Sequence, residues 1–270
     1  NGVTIGSGST AVSLTSTGLN NGGNKITNVA AGTADTDAVN KGQMTNAIDE
    51  SMKYFKANSM GTEAFVAGSD AVAVGSGAVS GGSEAVALGL NTAADGDQSL
   101  ALGVNAGTSS GTTGAIAVGN TAKASQDGAV AIGQKSGANG KRSTVVGDSA
   151  QAVGDQALAL GADASASGTN GTALGTSAST AGSSATAVGS HASAAGGSAA
   201  AIGDSASASG GDSVALGASS QASGTNDISL GASAGVGTQS GSTSKIQQNR
   251  ISIGANAGQN GSGNENTAIG

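Results

Sequence analysis

The stretch that decides the fold begins at Ala71-Val72-Ala73-Val74-Gly75 and recurs with little change to the end of the chain. Its closing glycine returns at Gly89, Gly103, Gly119, Gly133, Gly147, Gly161, Gly175, Gly189, Gly203, Gly217 and Gly231, and weaker copies end at Gly254 and Gly270. Most steps are 14 residues, but the steps to Gly119, Gly254 and Gly270 are 16, 23 and 16. A short fixed period is typical of a solenoid, in which each repeat stacks on its neighbours.

Each repeat alternates large and small residues before its closing glycine. Val, Ile or Leu precedes the glycine in all 14 copies, and Ala stands one place earlier in 11 copies, the exceptions being Val145, Ser229 and Ser252. This period of two predicts a strand whose side chains point alternately to opposite faces. Small residues at the third and fifth places after the glycine, such as Ala150 and Ala152, predict a second short strand. Two strands and two turns in 14 residues predict a flattened β-roll.

The turns between these strands contain further glycines. Gly140, Gly154, Gly168 and Gly210 follow the second strand of their repeats. Because glycine adopts positive φ without a steric penalty, we expect these four residues to turn the chain back through positive φ.

The faces of the first strand can be assigned in two ways. In the favoured assignment Val, Ile and Leu fill the thin interior, and the alanines form a flat outward stripe that marks an interface. The interface would then consist of Ala73, Ala87, Ala101, Ala117, Ala131, Ala159, Ala173, Ala187, Ala201 and Ala215. In the reverse assignment Ala lies inside and the aliphatic residues lie outside, which also demands a partner. Both assignments predict that the monomer is not the working unit.

The composition excludes several classes of protein. The chain has 49 Gly, no Pro, Cys or Trp, and only Tyr54, Phe55 and Phe65 as aromatic residues. A conventional globular core is therefore disfavoured, while the strict period argues against disorder. The aromatic residues lie at the first repeats, where we expect them to cap the open core; an aromatic binding patch is the alternative. The net charge of −7 disfavours nucleic acid as a partner.

The segment before the repeats has a different character. Residues 1–19 indicate short strands at the end of a preceding β module, and residues 20–43 break that pattern. Asp37 is a candidate helix N-cap. Met44, Ile48 and Met52 are four residues apart, which predicts a short helix over 44–53. Since such a helix is marginal alone, we expect it to form a coiled coil with its neighbours, and the roll to occupy 54–270.

These features together resemble one family. The repeat around Ser213-Val214-Ala215-Leu216-Gly217 resembles the head repeat of trimeric autotransporter adhesins, the YadA-like head. Residues 37–44 resemble the neck of that family, and residues 54–59 resemble the usual entry into such a head. The neck residues that carry the likeness are Asp37, Ala38, Val39, Asn40 and Gln43.

The resemblance implies an all-β, left-handed parallel β-roll in a homotrimer, with a short neck and helix. It also implies a bacterial surface adhesin that binds extracellular-matrix proteins, host cells or abiotic surfaces and self-associates. The chain begins at Asn1 and ends on a strand phrase, Thr267-Ala268-Ile269-Gly270. We therefore expect any export signal or outer-membrane anchor to lie outside this fragment.

No enzyme, metal site or cofactor is predicted. His191 is the only histidine, it falls on a turn, and no second imidazole or thiol completes a metal site. The glycines are not followed by the helix and Lys-Ser/Thr of a phosphate loop. Three other functions are compatible with a solenoid: an ice-binding protein, which needs a flat Thr array; an acyltransferase, which needs a catalytic His; and a purely structural spacer of a surface fibre.

The basic residues form a candidate ligand surface, with a solvated face as the alternative. The candidates are Lys123, Lys135, Lys141, Arg142, Lys245 and Arg250. Asp127, Lys141 and Asp155 are also 14 residues apart, so they should stack in successive repeats about 4.8 Å apart with alternating charge.

The longest interruption of the period runs from Ala232 to Arg250. Its Gly, Ser and Thr residues do not suit a further repeat. We expect this segment to leave the roll as an exposed loop, with the repeat resuming at Ile251-Ser252-Ile253-Gly254.

Overall fold

The computed structural model describes residues 3–51, 61–235, 248–258 and 267–270. They belong to two compact units, Asn1–Asn58 and Ser59–Gly270. No helix in these described ranges has the length and apolar character needed to cross a bilayer.

The first unit contains a small sheet and one helix. Strands Val3–Ile5, Val12–Thr15 and Gly18–Asn20 form an antiparallel sheet in that order, with a 3-10 turn at Gly8–Thr10. The helix spans Lys41–Ser51, so it begins three residues before the predicted start at residue 44.

The N-cap of this helix is Asn40 and not Asp37, so that prediction is wrong. The Oδ1 atom of Asn40 accepts a hydrogen bond from the Gln43 amide at 2.9 Å. In return, the Gln43 side-chain oxygen accepts from the Asn40 amide at 3.4 Å. This reciprocal pair is a capping box, which satisfies two backbone donors that the first helical turn leaves free.

The second unit is a parallel β-roll of two facing sheets. We call the larger one sheet 1; its 14 strands are Val72–Val74, Val86–Leu88, Leu100–Leu102, Ile116–Val118, Val130–Ile132, Thr144–Val146, Leu158–Leu160, Thr172–Leu174, Thr186–Val188, Ala200–Ile202, Val214–Leu216, Ile228–Leu230, Ile251–Ile253 and Thr267–Ile269. Sheet 2 has 12 strands: Phe65–Val66, Val79–Ser80, Ala93–Ala94, Gly107–Thr108, Lys123–Ala124, Gly137–Ala138, Gln151–Ala152, Ser165–Ala166, Ser179–Thr180, Ser193–Ala194, Ser207–Ala208 and Gln221–Ala222.

Each repeat of the sequence forms one rung of this roll. Within sheet 1 a residue pairs with its equivalent in the next repeat, as Val130 does with Thr144. Sheet 2 follows the same rule, as Gln151 pairs with Ser165. The predicted solenoid with 14-residue turns is therefore confirmed.

The interior of the roll is built from alanine, which overturns the favoured assignment of faces. Of the ten alanines predicted to form the interface, Ala73 is half-buried, and the other nine have 0% exposure within a single chain. The physical reason is the thinness of the rung. Connections of only four residues (75–78) and five residues (81–85) hold the two sheets close together. Small side chains from both sheets fill the gap, so Val, Ile and Leu point outward.

The glycines of the second turn have a different role from the predicted one. Gly140, Gly154, Gly168 and Gly210 do not have positive φ. Positive φ occurs instead at the closing glycines, such as Gly133 (133°), and at Arg142 (54°) two residues after Gly140. A Cβ atom on Gly140 would overlap the carbonyl oxygen of Gly154 in the next rung. These glycines are thus required by the stacking distance and not by the backbone dihedral.

Serine replaces alanine at some interior positions, where its hydroxyl forms a hydrogen bond with the backbone. The Ser143 hydroxyl donates to the Gly140 carbonyl at 2.7 Å, and the Ser213 hydroxyl donates to the Gly210 carbonyl at 2.7 Å. Thr180 differs, because its buried Oγ1 has no hydrogen-bond partner. Val145, a departure from the repeat pattern, is fully buried.

The aromatic residues at the start of the roll do not form the predicted cap where they are described. Phe65 lies in the first strand of sheet 2 with 60% of its surface exposed, so it does not close the core. Tyr54 and Phe55 lie outside the described residues.

The repeat resumes after the long interruption. Ile251–Ile253 pairs in register with Ile228–Leu230. The predicted resumption of the repeat is confirmed, while residues 236–247 of the interruption lie outside the described ranges.

Candidate functional site: the outer faces and edges of the roll

The outer face of sheet 1 is an aliphatic surface that no part of the described chain covers. The residue before each closing glycine points outward along the whole sheet, and Leu174 and Leu216 are 41% and 45% exposed. This row consists of Val74, Leu88, Leu102, Val118, Ile132, Val146, Leu160, Leu174, Val188, Ile202, Leu216, Leu230, Ile253 and Ile269. We call the outer face of sheet 1, formed by this row and its neighbouring row, the aliphatic face.

The neighbouring row lies two residues earlier in each strand. It is also mostly Val, Leu or Ile, and it is interrupted by Thr144, Thr172, Thr186, Ala200 and Thr267. Contiguous exposed apolar patches larger than a few hundred Å² are rare on monomeric proteins and mark interaction sites. The reverse assignment, with the aliphatic residues outside and in need of a partner, is therefore the one that fits the structure.

The outer face of sheet 2 is more varied than the aliphatic face. Its outward positions include a run of small polar residues at Ser165, Ser179, Ser193 and Ser207, whereas other rungs carry apolar residues, glycine or larger polar residues, such as Phe65, Val79, Gly137 and Gln151. Between residues 164 and 203 the sequence contains no Asp, Glu, Lys or Arg. Sheet 1 therefore presents a continuous aliphatic face, whereas the outer face of sheet 2 is mixed and has an uncharged, serine-rich stretch.

The predicted basic surface is not assembled in one place. Lys123 projects from the outer face of sheet 2, and Lys135 lies on the turn that leads from sheet 1 to sheet 2. Lys141 and Arg142 lie on the opposite turn, which leads from sheet 2 back to sheet 1. All four are exposed, but they point to three different sides of the roll.

Arg250 is not a surface residue, which corrects its assignment to the ligand surface. It is 5% exposed, and its Nη2 atom lies 2.6 Å from the Oδ2 atom of Asp227. A buried guanidinium needs a charged partner to offset its lost hydration, and Asp227 provides one. Lys245 lies outside the described residues.

The acidic residues of the second turn bond to the backbone. Asp155 accepts a hydrogen bond from the Lys141 amide at 2.8 Å, and Asp127 accepts one from the Thr113 amide at 3.1 Å. Stacking one repeat apart is therefore observed. The stacked charges alternate in sign as expected, although the ion pair found among the described residues is Arg250–Asp227 and does not involve Lys141.

His191 lies on a turn, as predicted. Its backbone is left-handed with φ of 56°, and its side chain is exposed. The Nδ1 atom lies 2.8 Å from the Ser190 hydroxyl. This is an ordinary local contact on a solvated edge.

The neck residues hold a compact loop before the helix. The Oδ2 atom of Asp37 accepts hydrogen bonds from the amides of Thr33 at 2.8 Å and Ala34 at 2.9 Å. These backbone donors, Ala34 first, lower the pKa of the Asp37 carboxyl below its ordinary value. The Gln43 side chain also bonds both the amide and the carbonyl of Gly32, at 2.9 and 2.8 Å.

The polar neck residues therefore hold the backbone of the loop that precedes the helix. Asn40 completes the loop by donating to the Val29 carbonyl at 3.2 Å. Val39, between them, is largely exposed. The neck sequence indicated these residues, but it did not reveal their partners, namely Thr33, four residues before Asp37, and Gly32, 11 residues before Gln43.

Comparisons with known proteins agree with this architecture. The family model described as the YadA head domain repeat (2 copies) matches residues 80–106, 113–136, 138–164, 166–192, 194–220 and 208–234, which is more than half of the chain. The model described as the coiled stalk of trimeric autotransporter adhesin matches residues 25–64. None of the curated proteins compared with the chain matches it.

A solved structure is also similar to the chain. The crystal structure of the collagen-binding domain of the Yersinia adhesin YadA is 26% identical, covering 67% of this chain and 82% of that chain, with a TM-score of 0.25. The head-repeat matches run through the roll, and the stalk match covers the neck and helix. The chain therefore belongs to the YadA-like trimeric autotransporter adhesins, as a passenger segment with a repetitive head.

Proposed function

We propose that the chain works as a homotrimer in which three copies turn their aliphatic faces toward one another. The observation that carries this proposal is the unbroken outward row of Val, Leu and Ile along all 14 strands of sheet 1. Burial of apolar surface stabilises association by about 25 cal/mol per Å², and each added rung contributes again. The number three and the left-handed winding are predictions from the family.

Sedimentation equilibrium of the whole chain tests the oligomeric state. One chain has a mass of 24.7 kDa, so the proposal requires a single species of three times that mass. A folded monomer at micromolar concentration contradicts the proposal, because its aliphatic face would then be stable in water.

We further propose that the trimer is an adhesive module on the bacterial surface, which acts by binding and not by catalysis. With the aliphatic faces buried, sheet 2 and the turns of every rung remain available to a ligand. Repetition of similar rungs favours many weak contacts, which multivalency converts into firm attachment. Extracellular-matrix proteins are the proposed ligands, and YadA-like adhesins in general are anchored in the outer membrane.

A binding screen against immobilised matrix proteins tests this second proposal. Collagen belongs in the screen, together with fibronectin and laminin, and an abiotic surface serves as a further arm. Binding by the trimer that is lost in a folded but dissociated variant supports multivalent adhesion. A trimer that binds none of these surfaces, and does not self-associate, favours the structural-spacer alternative.

A further inference from the structure

The buried pair Asp227–Arg250 stands at interior positions that the rest of the roll fills with small residues. Both residues directly precede a strand of sheet 1, namely Ile228–Leu230 and Ile251–Ile253. The equivalent positions of earlier rungs hold Ala85, Ser99, Ala115, Ala129, Ser143, Ala157, Gly171, Ala185, Ala199 and Ser213. The charged pair is therefore a local exception, and it occurs where the 23-residue step separates two stacked rungs.

The Asp227 carboxylate is fully bonded by this arrangement. Its Oδ1 atom accepts from the Arg250 amide at 3.0 Å. Its Oδ2 atom accepts from the Gly224 amide at 2.8 Å and from Arg250 Nε at 3.1 Å and Nη2 at 2.6 Å. The side chains of Arg250 and Asp227 are 6% and 2% exposed. Without the Arg250 side chain the buried carboxylate would retain two backbone amide donors, at residues 224 and 250, but would have no countercharge to offset its lost hydration.

Two segments of the sequence could follow the strand Ile228–Leu230. Ile251-Ser252-Ile253-Gly254 and Thr267-Ala268-Ile269-Gly270 carry the same alternation and the same closing glycine. Use of the second would lengthen the connecting loop. Loop-closure entropy changes only slowly with length, so loop length alone discriminates weakly between the two segments. Use of the second segment would also remove Ile251–Ile253 from the sheet, where it pairs with both neighbouring strands.

The residue before each segment does discriminate. Arg250 precedes the first segment, and the uncharged Asn266 precedes the second. Only the first can neutralise Asp227 in the rung below. The exposed Asn226 side chain donates a hydrogen bond from Nδ2 to Asn249 Oδ1 at 3.0 Å, but a neutral bond in contact with water contributes less than the buried pair.

We infer that the Asp227–Arg250 pair is a register selector, which makes residues 251–254 the next rung and rejects residues 267–270 at that position. In some proteins a buried polar residue fixes one register among several alternatives. The pair thereby determines which part of the interrupted sequence leaves the roll. This inference concerns the folding of the chain and does not depend on the proposed adhesive function.

Disulfide trapping at interior positions tests the register within one chain. Ser229 is paired with Ser252, and Ser252 with Ala268, in adjacent strands of sheet 1. Adjacent strands are about 4.8 Å apart, which suits a disulfide, whereas strands two places apart, at roughly 9.6 Å, exceed its reach. We therefore compare Ser229→Cys/Ser252→Cys with Ser229→Cys/Ala268→Cys in the full 270-residue chain, using mild oxidation and non-reducing peptide mapping.

In each of these double-cysteine variants, the Asp227–Arg250 pair is then either removed or given its arginine at position 266 instead of position 250. The parent should form the 229–252 disulfide only. Asp227→Ala/Arg250→Ala restores small interior residues, so it should fold and form a disulfide in both cysteine backgrounds, 229–252 in one and 229–268 in the other. Arg250→Asn/Asn266→Arg moves the cation to the second segment, so the yield of the 229–268 disulfide in its background, relative to the yield of 229–252 in the other, should rise at least tenfold over the parent.

Two results would overturn the inference. One is the exclusive 229–252 disulfide in Asp227→Ala/Arg250→Ala, which shows that register is fixed without the pair. The other is an unchanged 229–252 disulfide in the relocated variant. If the relocated variant does not fold, the double-alanine variant decides the question alone.

Discussion

At the residue scale, neighbouring glycines of one turn have different physical roles. A Cβ atom on Gly196 would overlap the carbonyl oxygen of Gly210 in the next rung, whereas one on Gly197 would have no heavy atom within 4 Å. Neither residue has positive φ. The difference between them is therefore steric only, and it arises from the distance between stacked rungs.

The first prediction uses this pair. Gly196→Ala should lower the free energy of unfolding by about 1–3 kcal/mol, because the added methyl forces two rungs apart. Gly197→Ala should stay within about 0.5 kcal/mol of the parent. Urea unfolding monitored by circular dichroism measures both. Equal losses would show that backbone entropy, and not stacking distance, explains these glycines.

A second residue-scale prediction concerns a compensating pair in the core. Thr180 occupies a position where most rungs have Ala, and Gly171 faces it, since a Cβ on Gly171 would lie 2.7 Å from Thr180 Oγ1. Gly171→Ala alone should cost about 1–3 kcal/mol of unfolding free energy. The double variant Gly171→Ala/Thr180→Ala should recover most of that loss, because it also removes a buried hydroxyl that has no partner.

A double-mutant cycle measures this coupling. We expect an interaction energy of about 0.5–3 kcal/mol between the two sites. Additive effects of the two single changes would mean that Gly171 does not make room for Thr180.

The third prediction concerns the pH dependence of the neck. Because the pKa of Asp37 is lowered by the amides of Ala34 and Thr33, its stabilising contribution is present above the unfolded-chain value of about 3.9. It is lost as the pH falls through the lower, folded value. The amide resonances of residues 33 and 34 should therefore shift below about pH 4, and Asp37→Asn should abolish that shift. A transition at the ordinary aspartate pKa would contradict the assignment.

At the scale of the element, the sequence was sufficient to predict strands, rungs and register. Alternation of Val72, Ala73 and Val74 defines a strand, and the spacing of closing glycines defines the step between rungs. The sequence could not decide which face lies inside, because both assignments satisfy the alternation. That choice depends on the distance between two sheets, which arises only when the turns 75–78 and 81–85 have closed.

The helix shows a similar limit. The spacing of Met44 and Ile48 predicted its existence, but the choice of Asp37 over Asn40 as N-cap was wrong. An aspartate is as good an N-cap as an asparagine by type, and here the Asp37 carboxylate is engaged by Thr33 and Ala34. Local residue type therefore could not rank the two candidates without the loop that surrounds them.

A fourth prediction tests the helix as an element. Asn40→Ala removes the capping oxygen and should lower helix stability by about 1 kcal/mol. Thr45→Ala serves as the control, since it lies within the same helix and makes no capping bond among those described. Helical ellipticity during thermal unfolding should decrease at a lower temperature in the first variant only.

At the scale of the whole molecule, one roll carries two kinds of surface. The buried alanines make each rung thin, and the thinness directs Val, Leu and Ile outward over the length of sheet 1. No single repeat has enough apolar area to associate, but stacked rungs accumulate it. The stability of the assembly therefore depends on how many rungs are stacked and cannot be inferred from a single rung.

The measurement that tests this claim most directly compares the masses of two variants with matched charge. Leu174→Asp/Leu216→Asp places two carboxylates on the aliphatic face, and Ser179→Asp/Gln221→Asp places two on the outer face of sheet 2. Sedimentation equilibrium should find the first variant dissociated and the second at the mass of three chains. If both variants remain trimeric with equal melting temperatures, or if the second dissociates instead, the aliphatic face is not where the chains meet.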